Sequence, residues 1–273
     1  MPEAAVALRL RDAVARASAV LTEAGCETPR LDAELLLAHV LGCDRARLVQ
    51  AAREPLDAGA AARFQALLDR RAAREPVAYI LGQKEFRRIW LSVDRRVLIP
   101  RPETELLVEV GLSLRTGATV ADVGTGSGAV ALALKDERPD LAVTGIDNCS
   151  DALEVAIANA ARLGLEVRLV RADLLDGRQY DAVLANLPYV ESGAELAPEI
   201  ARYEPANALF AGADGLAVIR RLVAAGGATT LIALEVGLGQ AGAVAELLAD
   251  AGWPDVERLR DLAGHERVVV GRR

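Results

Sequence analysis

The sequence predicts an α/β protein in which a parallel, doubly wound sheet follows a small helical N-terminal domain and a β-hairpin linker. Three observations carry this expectation. From Thr119 onward, short apolar runs alternate with amphipathic stretches, which is the pattern of β-α-β units. Before about residue 80, apolar residues recur at helical spacing instead. The composition, 52% hydrophobic and 26% charged, gives ample material for a core and excludes a disordered chain. Aromatic residues are only 3% of the 273, so that core must be mostly Ala, Val and Leu. The length is roughly 1.8 times the 150-residue prior, which means one large or two modest domains.

Taken in order, Leu10, Val14, Ala17 and Leu21 recur on one helical face, and Gly25 stops the run. Asp32 is placed to cap a second helix, in which Leu35, Leu36, His39 and Val40 recur before Gly42. Ala58 to Arg74 reads as a third helix with Phe64, Leu67 and Leu68 on one face. His39 lies in an apolar helical stretch and reads as a satisfied structural histidine rather than a ligand. Pro76 breaks the pattern, and Glu85 to Ile99 holds two β-prone runs around Asp94-Arg95, a hairpin signal. Glu103 to Leu114 then reads as helix. Strands follow at Thr119–Val123, Ala142–Asp147, Val167–Arg171, Ala182–Ala185, Leu231–Val236 and Arg267–Val270. Helices fall at Ala129–Asp136, Asp151–Leu163, Leu216–Ala225 and Ala241–Ala251. The expected domains are residues 1–80 (helical), 81–100 (hairpin linker) and 101–273 (α/β).

The net charge of −7 excludes a globally basic surface for nucleic acid, though not a local patch. Cys26, Cys43 and Cys149 are odd in number and far apart, which argues against a disulfide framework or a zinc site and for a reducing compartment. Glu3, Arg9, Arg11 and Asp12 break any secretory apolar run, and the least polar stretch, Leu222 to Leu234 with Gly226-Gly227 inside it, is too short to span a bilayer. A cytoplasmic protein without membrane contact is expected.

Gly124-Thr125-Gly126-Ser127-Gly128 sits where a strand turns into a helix. Glycines there let backbone amides approach a ligand, and the helix N-terminus adds positive potential. Asp147 ends the next strand about 20 positions on, where a mononucleotide-binding sheet grips a ribose diol. The plainer role for Asp147, capping the following helix, falls better to Ser150. A dinucleotide would call for Gly-x-Gly-x-x-Gly, and here the third glycine comes one residue early. The spacing favours S-adenosylmethionine.

Asn186-Leu187-Pro188-Tyr189 follows the strand Ala182–Ala185, at the end of the sheet where ligands of open α/β proteins bind. Asn186 offers an acceptor and two donors, the next carbonyl offers an acceptor, and Tyr189 offers a flat face. That set suits a planar –NH₂ substrate, with one N–H on the Asn186 oxygen and the other on the Leu187 carbonyl. Such a nitrogen is a poor nucleophile, so the site must act by alignment and desolvation. Alone, the tetrapeptide reads as an ordinary Asn-x-Pro turn; beside the glycine loop it reads as a methyl-acceptor site.

With these motifs in place, the chain resembles the release-factor glutamine methyltransferases, the HemK/PrmC family. Further matching segments are Pro76–Gly82, Glu85-Phe86, Leu98-Ile99-Pro100-Arg101-Pro102-Glu103-Thr104-Glu105, Tyr203-Glu204-Pro205, Ala208-Leu209-Phe210, Asp214-Gly215-Leu216, and Asp261-Leu262-Ala263-Gly264 before Arg267-Val268-Val269. The resemblance implies a helical substrate-recognition domain, a hairpin linker and a class I S-adenosylmethionine-dependent methyltransferase domain, Rossmann-like with a mostly parallel seven-stranded sheet. It implies methyl transfer to the side-chain amide of the glutamine in the Gly-Gly-Gln motif of class I peptide chain release factors. The expectations that go with it are S-adenosylhomocysteine as the product, no metal, no stable nucleic-acid complex and a monomeric chain. Carried over by position, Gly124, Thr125, Gly126, Ser127, Gly128 and Asp147 would hold the cofactor. Asp173 and Leu174 would border the adenine. Asn186, Leu187, Pro188 and Tyr189 would hold the glutamine, with Asn186 also facing the cofactor. Arg101 and Glu103 would shape the entrance, or else form a surface ion pair and supply an acid at a helix start.

Two departures stand out. The family usually has Asn-Pro-Pro-Tyr, and Leu187 gives up a fixed φ while keeping the backbone carbonyl. Leu174 stands where tryptophan is common, which weakens packing on the adenine. Competing readings are a ribosomal-protein glutamine methyltransferase, a nucleic-acid adenine-N6 methyltransferase whose basic groove would use Arg70-Arg71, Arg74, Arg87-Arg88 and Arg95-Arg96, and a cofactor-binding module without turnover.

Overall fold

In the computed structural model, residues 8–226 and 229–273 are described, so Glu3 and Gly227 lie outside the described residues. Three N-terminal helices form where the periodicity places them, the first two stopping at glycines that adopt a left-handed backbone, Gly25 at φ 75° and Gly42 at φ 63°, and two short ones, Arg45–Gln50 and Val77–Leu81, go beyond that reading. The first five are α1 (Leu10–Glu23), α2 (Pro29–Leu41), α3 (Arg45–Gln50), α4 (Ala58–Ala72) and α5 (Val77–Leu81). Then come the hairpin strands β1 (Gln83–Phe86) and β2 (Ile89–Ser92), a 3₁₀ turn at Pro102–Thr104, and α6 (Glu105–Leu112). The alternating part follows as β3 (Thr119–Val123), α7 (Ala129–Glu137), β4 (Ala142–Asp147), α8 (Ser150–Leu163), β5 (Arg168–Arg171) and β6 (Ala182–Ala185). It ends with α9 (Pro198–Tyr203), a 3₁₀ turn at Ala206–Ala208, α10 (Ala217–Ala225), β7 (Leu231–Glu235), α11 (Ala241–Asp250), β8 (Asp255–Arg260) and β9 (Glu266–Arg272).

The chain divides into two compact units. One comprises residues 1–82 together with 197–203, and the other residues 83–196 and 204–273. In the first, Leu10, Ala13, Ala17 and Leu21 of α1 pack with Leu36 and Leu37 of α2 and with Phe64 and Leu68 of α4. Arg71, 5% exposed, donates through Nε to the buried Asp32 (2.7 Å) and through Nη2 to Glu199 of α9 (3.0 Å), while Arg74 grips the same Glu199. Two guanidiniums thus balance two carboxylates, with Arg71 bridging both acids, an arrangement in which losing that cation would strand an uncompensated charge. Asp32 therefore does not cap α2. That helix starts earlier, at Pro29, and Asp32 within it faces Arg71 and accepts from the Thr28 hydroxyl (2.7 Å). His39 is exposed on α2, so it is a surface residue and not a packed one.

In the second unit, seven strands run in the order β5-β4-β3-β6-β7-β9-β8. All neighbours are parallel from β5 to β7, and β9 enters antiparallel between β7 and β8. This is the mostly parallel, Rossmann-like sheet the sequence predicts. β3, β6 and β7 are almost wholly buried because helices cover both faces, which is why their sequences are continuous apolar runs. β8 escapes sequence reading because Asp255, Glu257, Arg258 and Arg260 stand at an exposed edge and only Val256 and Leu259 are half-buried. Successive strands move outward from β3 through β4 to β5, and the chain then returns to β6 on the other side of β3. The crevice at the carboxyl ends of β3 and β6 is the topological switch point, and Gly124 and Asn186 both stand there.

The hairpin is real but its turn is not at Asp94-Arg95. Phe86 pairs with Ile89, and the turn is Arg87-Arg88, with Arg87 at φ 52°. Arg87 holds that conformation because its N–H donates to the Glu105 carboxylate (3.2 Å) and its guanidinium meets Glu109 and Glu137. Asp94 instead accepts from the Arg96 N–H in a separate turn beyond the strand. The far end of the hairpin is tied by Asn159 of α8, fully buried. Its side chain accepts from Ser92 N (2.7 Å) and donates to the carbonyls of Ser92 and Ser127, both at 3.0 Å.

Candidate active site

The glycine loop is shaped by its three left-handed glycines, Gly124, Gly126 and Gly128, at φ 76°, 54° and 85°. Gly124 and Thr125 both donate to the Ile146 carbonyl at the end of β4 (2.8 and 3.0 Å), so the loop bends over the neighbouring strand. A Cβ on Gly124 would stand 2.9 Å from the Asn186 carbonyl, so glycine is what lets the two ligand-facing loops touch. A Cβ on Gly126 would meet no protein atom closer than 3.9 Å; what the loop leaves there is open space.

Behind the loop lies Asp122, 2% exposed, which accepts from the Thr125 hydroxyl (2.6 Å) and from Ala131 N at the start of α7 (3.1 Å). Burial pushes its carboxyl up to about 6 against those two hydrogen bonds. Thr125 and Ser127 are themselves 5% and 2% exposed, so they line the cavity mainly through their backbone. Asp147 accepts from Gly126 N through Oδ2 and from Cys149 N through Oδ1, both at 2.9 Å. It therefore locks the glycine loop and steers the entry to α8 together. Ser150 does not cap that helix: Cys149 occupies the cap position and Ser150 is already inside the first turn.

At the other lip, Asn186 donates through Nδ2 to the hydroxyl of Thr104 (3.0 Å), which leaves Oδ1 as its acceptor. Leu187 is 5% exposed and packs in the sheet core with Val123 and Ala185. Pro188 lines the same cavity, whereas Tyr189 is not among its lining residues. The Tyr189 hydroxyl instead donates to Glu235 Oε1 at the end of β7 (3.4 Å), and the Tyr189 carbonyl accepts from Gln240 Nε2 (2.9 Å). Burial, reinforced by the Glu235 charge, holds the Tyr189 phenol well above its usual range. The phenol hydroxyl is thus turned to a buried carboxyl.

The cavity between these lips encloses about 1130 Å³, its open mouth included. Asp173 and Leu174 form part of its wall; Leu174 adopts a left-handed φ of 68°, and the exposed Asp173 pairs with Arg221 (2.5 Å). Arg101 grips the buried carboxylate of Glu204 at 2.5 Å, so its ion pair is not a surface one. Sequence reasoning missed Thr104, Asp122, Asn159 and Glu235. Thr104 lay inside the most distinctive string of the chain, and the other three were polar residues set in apolar runs. Among the described residues no group of His, Cys, Asp or Glu has the geometry to hold a metal ion, and all three cysteines are free thiols.

Residues 12–82 match the family model of the PrmC N-terminal domain, and residues 102–218 match that of the methyltransferase small domain. The chain is 45% identical over 262 residues to the release factor glutamine methyltransferase of Burkholderia pseudomallei, covering 89% of this chain and 91% of the relative. It is 41% identical over 282 residues to that of Mycolicibacterium smegmatis, covering 97% and 98%. Among solved structures, the hMettl16 catalytic domain in complex with a MAT2A 3′UTR hairpin is similar at a TM-score of 0.56, with 14% identity over 67% of this chain and 74% of that one. At that identity the likeness concerns the fold alone.

Proposed function

The chain belongs to the release factor glutamine methyltransferase family, and from that premise we propose that it transfers a methyl group from S-adenosylmethionine to N5 of the glutamine in the Gly-Gly-Gln motif of class I peptide chain release factors. The observation that carries this reading is the state of Asn186. One of its two amide N–H groups is engaged by Thr104, and its oxygen remains as an acceptor at the switch point. A substrate that presents N–H is the complement.

The cavity suits the cofactor. Gly126 leaves space where a side chain would intrude, the N-terminus of α7 faces the loop, and Asp147 keeps unused lone pairs on both oxygens. Gly124 to Gly128 and Asp147 would hold its amino-acid end and ribose, with Asp173 and Leu174 beside the adenine. Bound S-adenosylmethionine supplies a methyl group activated by a sulfonium charge. The chain's own residues do the rest by alignment. Asn186 Oδ1 and the Leu187 carbonyl each accept one amide N–H, which fixes the plane of the glutamine side chain and turns its nitrogen toward the cofactor. Leu187 and Pro188 wall the nitrogen off from water. The helical unit recognises the protein substrate, and the enzyme works as a cytoplasmic monomer without stable nucleic-acid binding.

The test is transfer of labelled methyl from S-adenosylmethionine to a purified class I release factor, with intact rRNA and ribosomal proteins in parallel. Label on the Gly-Gly-Gln glutamine, absent from a Gln→Ala factor, is the expected result. Label on RNA or on a ribosomal protein alone refutes the substrate assignment.

A further inference from the structure

Behind the glycine loop stands a buried polar residue to which the proposed transfer gives no part. Asn159 of α8 is fully buried, and its carboxamide is fully engaged. Nδ2 donates to the carbonyls of Ser92 and Ser127, both at 3.0 Å. Oδ1 accepts from Ser92 N at 2.7 Å and from Arg162 Nη2 at 3.3 Å. A carboxamide has two donor hydrogens and two acceptor lone pairs, so nothing is left over. Toward Ser92 the side chain behaves as a neighbouring strand does: it receives the N–H and gives an N–H to the carbonyl of the same residue.

The other end of the contact explains why the loop needs it. Gly128 stands at the cap of α7 without a side chain to cap it, and the Leu132 N–H bonds the Gly128 carbonyl at 2.8 Å. The Ala131 N–H and the Ser127 carbonyl flank that start and need partners from elsewhere. Asp122 of β3 takes the N–H at 3.1 Å, and Asn159 takes the carbonyl. The Ser127 carbonyl shares a rigid peptide plane with the Gly128 N–H, which closes the loop on the Thr125 carbonyl at 2.8 Å. Holding the carbonyl therefore sets the tilt of the whole Thr125–Gly128 turn. On the far side of Ser92 the chain runs into Arg96, Val97, Leu98 and Pro100, which line the same cavity.

We infer that Asn159 is a positioning residue for the cofactor: its one carboxamide locks the Ser127–Gly128 peptide of the glycine loop to the end of the hairpin, so that the loop and the segment leading to Pro100 hold the ligand as one unit. The inference rests on the S-adenosylmethionine reading above and not on the identity of the methyl acceptor. Ser92 itself is not among the residues that line the cavity, so its N–H reports on the joint without touching the ligand.

The first test needs no substitution. Amide hydrogen exchange of the full chain is followed with and without saturating S-adenosylhomocysteine. The Ser92 and Gly128 N–H groups should slow together by at least about tenfold, whereas Phe86 and Ile89, at the turn end of the hairpin, should change by less than about twofold. The second test is calorimetric binding of S-adenosylmethionine to Asn159→Ser, with exposed Arg162→Ala as the control that leaves the Ser127 contact in place. Asn159→Ser should weaken binding about 10- to 100-fold, the usual range for losing a buried hydrogen bond, and its Ser92 N–H should no longer respond to the ligand. Arg162→Ala should stay within about twofold of the wild type. A merely structural asparagine would lower Tm and the yield of folded protein but leave Kd of the folded fraction alone. A Kd for folded Asn159→Ser within about fivefold of the wild type therefore overturns the inference, whatever its Tm. A wild type that binds the cofactor with an unresponsive Ser92 also overturns it, and the cofactor reading survives. A wild type that binds no S-adenosylmethionine overturns both.

Discussion

Gly215 gives a sharp measure of how tightly the substrate corner is held. It adopts φ 71°, and a Cβ built on it would stand 2.1 Å from the Tyr189 carbonyl oxygen and 2.8 Å from Gln240 Nε2. Gly239 is a natural control, with φ 85° and no atom within 4 Å of its hypothetical Cβ. An alanine at either position incurs about 1–2 kcal/mol for the left-handed backbone, partly offset by the stiffer unfolded chain. Gly239→Ala incurs nothing more. At Gly215 the Tyr189 carbonyl must retreat by more than 1 Å to restore ordinary contact from 2.1 Å. That carbonyl is the acceptor of the Gln240 side chain at 2.9 Å, so the retreat also breaks a hydrogen bond. Overpacking against backbone costs about 1–3 kcal/mol and the lost bond about 1 kcal/mol.

Gly215→Ala should therefore be destabilised by about 2–4 kcal/mol relative to Gly239→Ala. At about 2–4 °C per kcal/mol for a domain of this size, its Tm should lie roughly 4–16 °C below that of the control. Thermal melts of both variants with the wild type are the assay. Because Tyr189 follows Asn186 by three residues, any folded Gly215→Ala protein should also lose turnover by about 100-fold, the usual effect of a misplacement of about 1 Å. A Tm within 2 °C of Gly239→Ala would refute the reasoning, since it would mean that the Tyr189 backbone yields freely.

Other perturbations divide the site by function. Asn186→Ala should keep cofactor affinity within about twofold and lose at least 100-fold in turnover, because its oxygen serves the substrate; calorimetry and single-turnover methyl transfer separate the two. Asp147→Ala removes the acceptor of both Gly126 N–H and Cys149 N–H, and calorimetry should find cofactor binding weakened about 10- to 100-fold. Leu187→Pro should keep or raise kcat, since the carbonyl stays, and should lose about 1 kcal/mol of stability with part of a buried side chain; a large fall in kcat would mean the corner is tuned to leucine. Glu235 ties stability to pH. Its folded pKa of about 7 lies above the ordinary 4.5, so the folded state holds the proton more tightly and this group's contribution is lost as pH rises from below 4.5 through 7. Urea unfolding should therefore show Glu235→Gln gaining on the wild type by up to about 3 kcal/mol between pH 4 and pH 8, and equal pH dependence of the two proteins would contradict it.

The sheet was legible because its central strands are covered on both faces, so nothing but apolar side chains fits there, and a continuous run such as Ala182–Ala185 has few other readings. The exposed edge β8 carries no such constraint and was lost in a run of charges. The hairpin illustrates a different limit. Asp94-Arg95 has turn chemistry and does turn, but the strands meet at Arg87-Arg88, where a non-glycine residue is held at φ 52° by carboxylates on α6 and α7. Local propensity had no access to those partners. The cap at Asp32 failed for the same reason: a carboxylate near a helix start looks like a cap until Arg71, thirty-nine residues away, claims it.

At the site, sequence reading recovered the glycine loop, Asp147 and Asn186, which line the cavity, and missed polar side chains that brace them, of which Thr104 and Asp122 also line it. Gly124, Gly126, Asp147 and Asn186 belong to short strings whose spacing follows from where strands end, so the motif and the topology point to the same place. Thr104, Asp122 and Glu235 act through contacts that join distant parts of the chain. Asp122 sits in a buried strand and braces the loop that follows it; Glu235 sits in another and braces a corner some fifty residues earlier. Each is an acid in an otherwise apolar strand, where burial alone would exclude it. That cost is the legible signal. An acidic residue at the carboxyl end of a fully buried parallel strand is expensive to keep, and here both such residues support one of the two lips of the cavity.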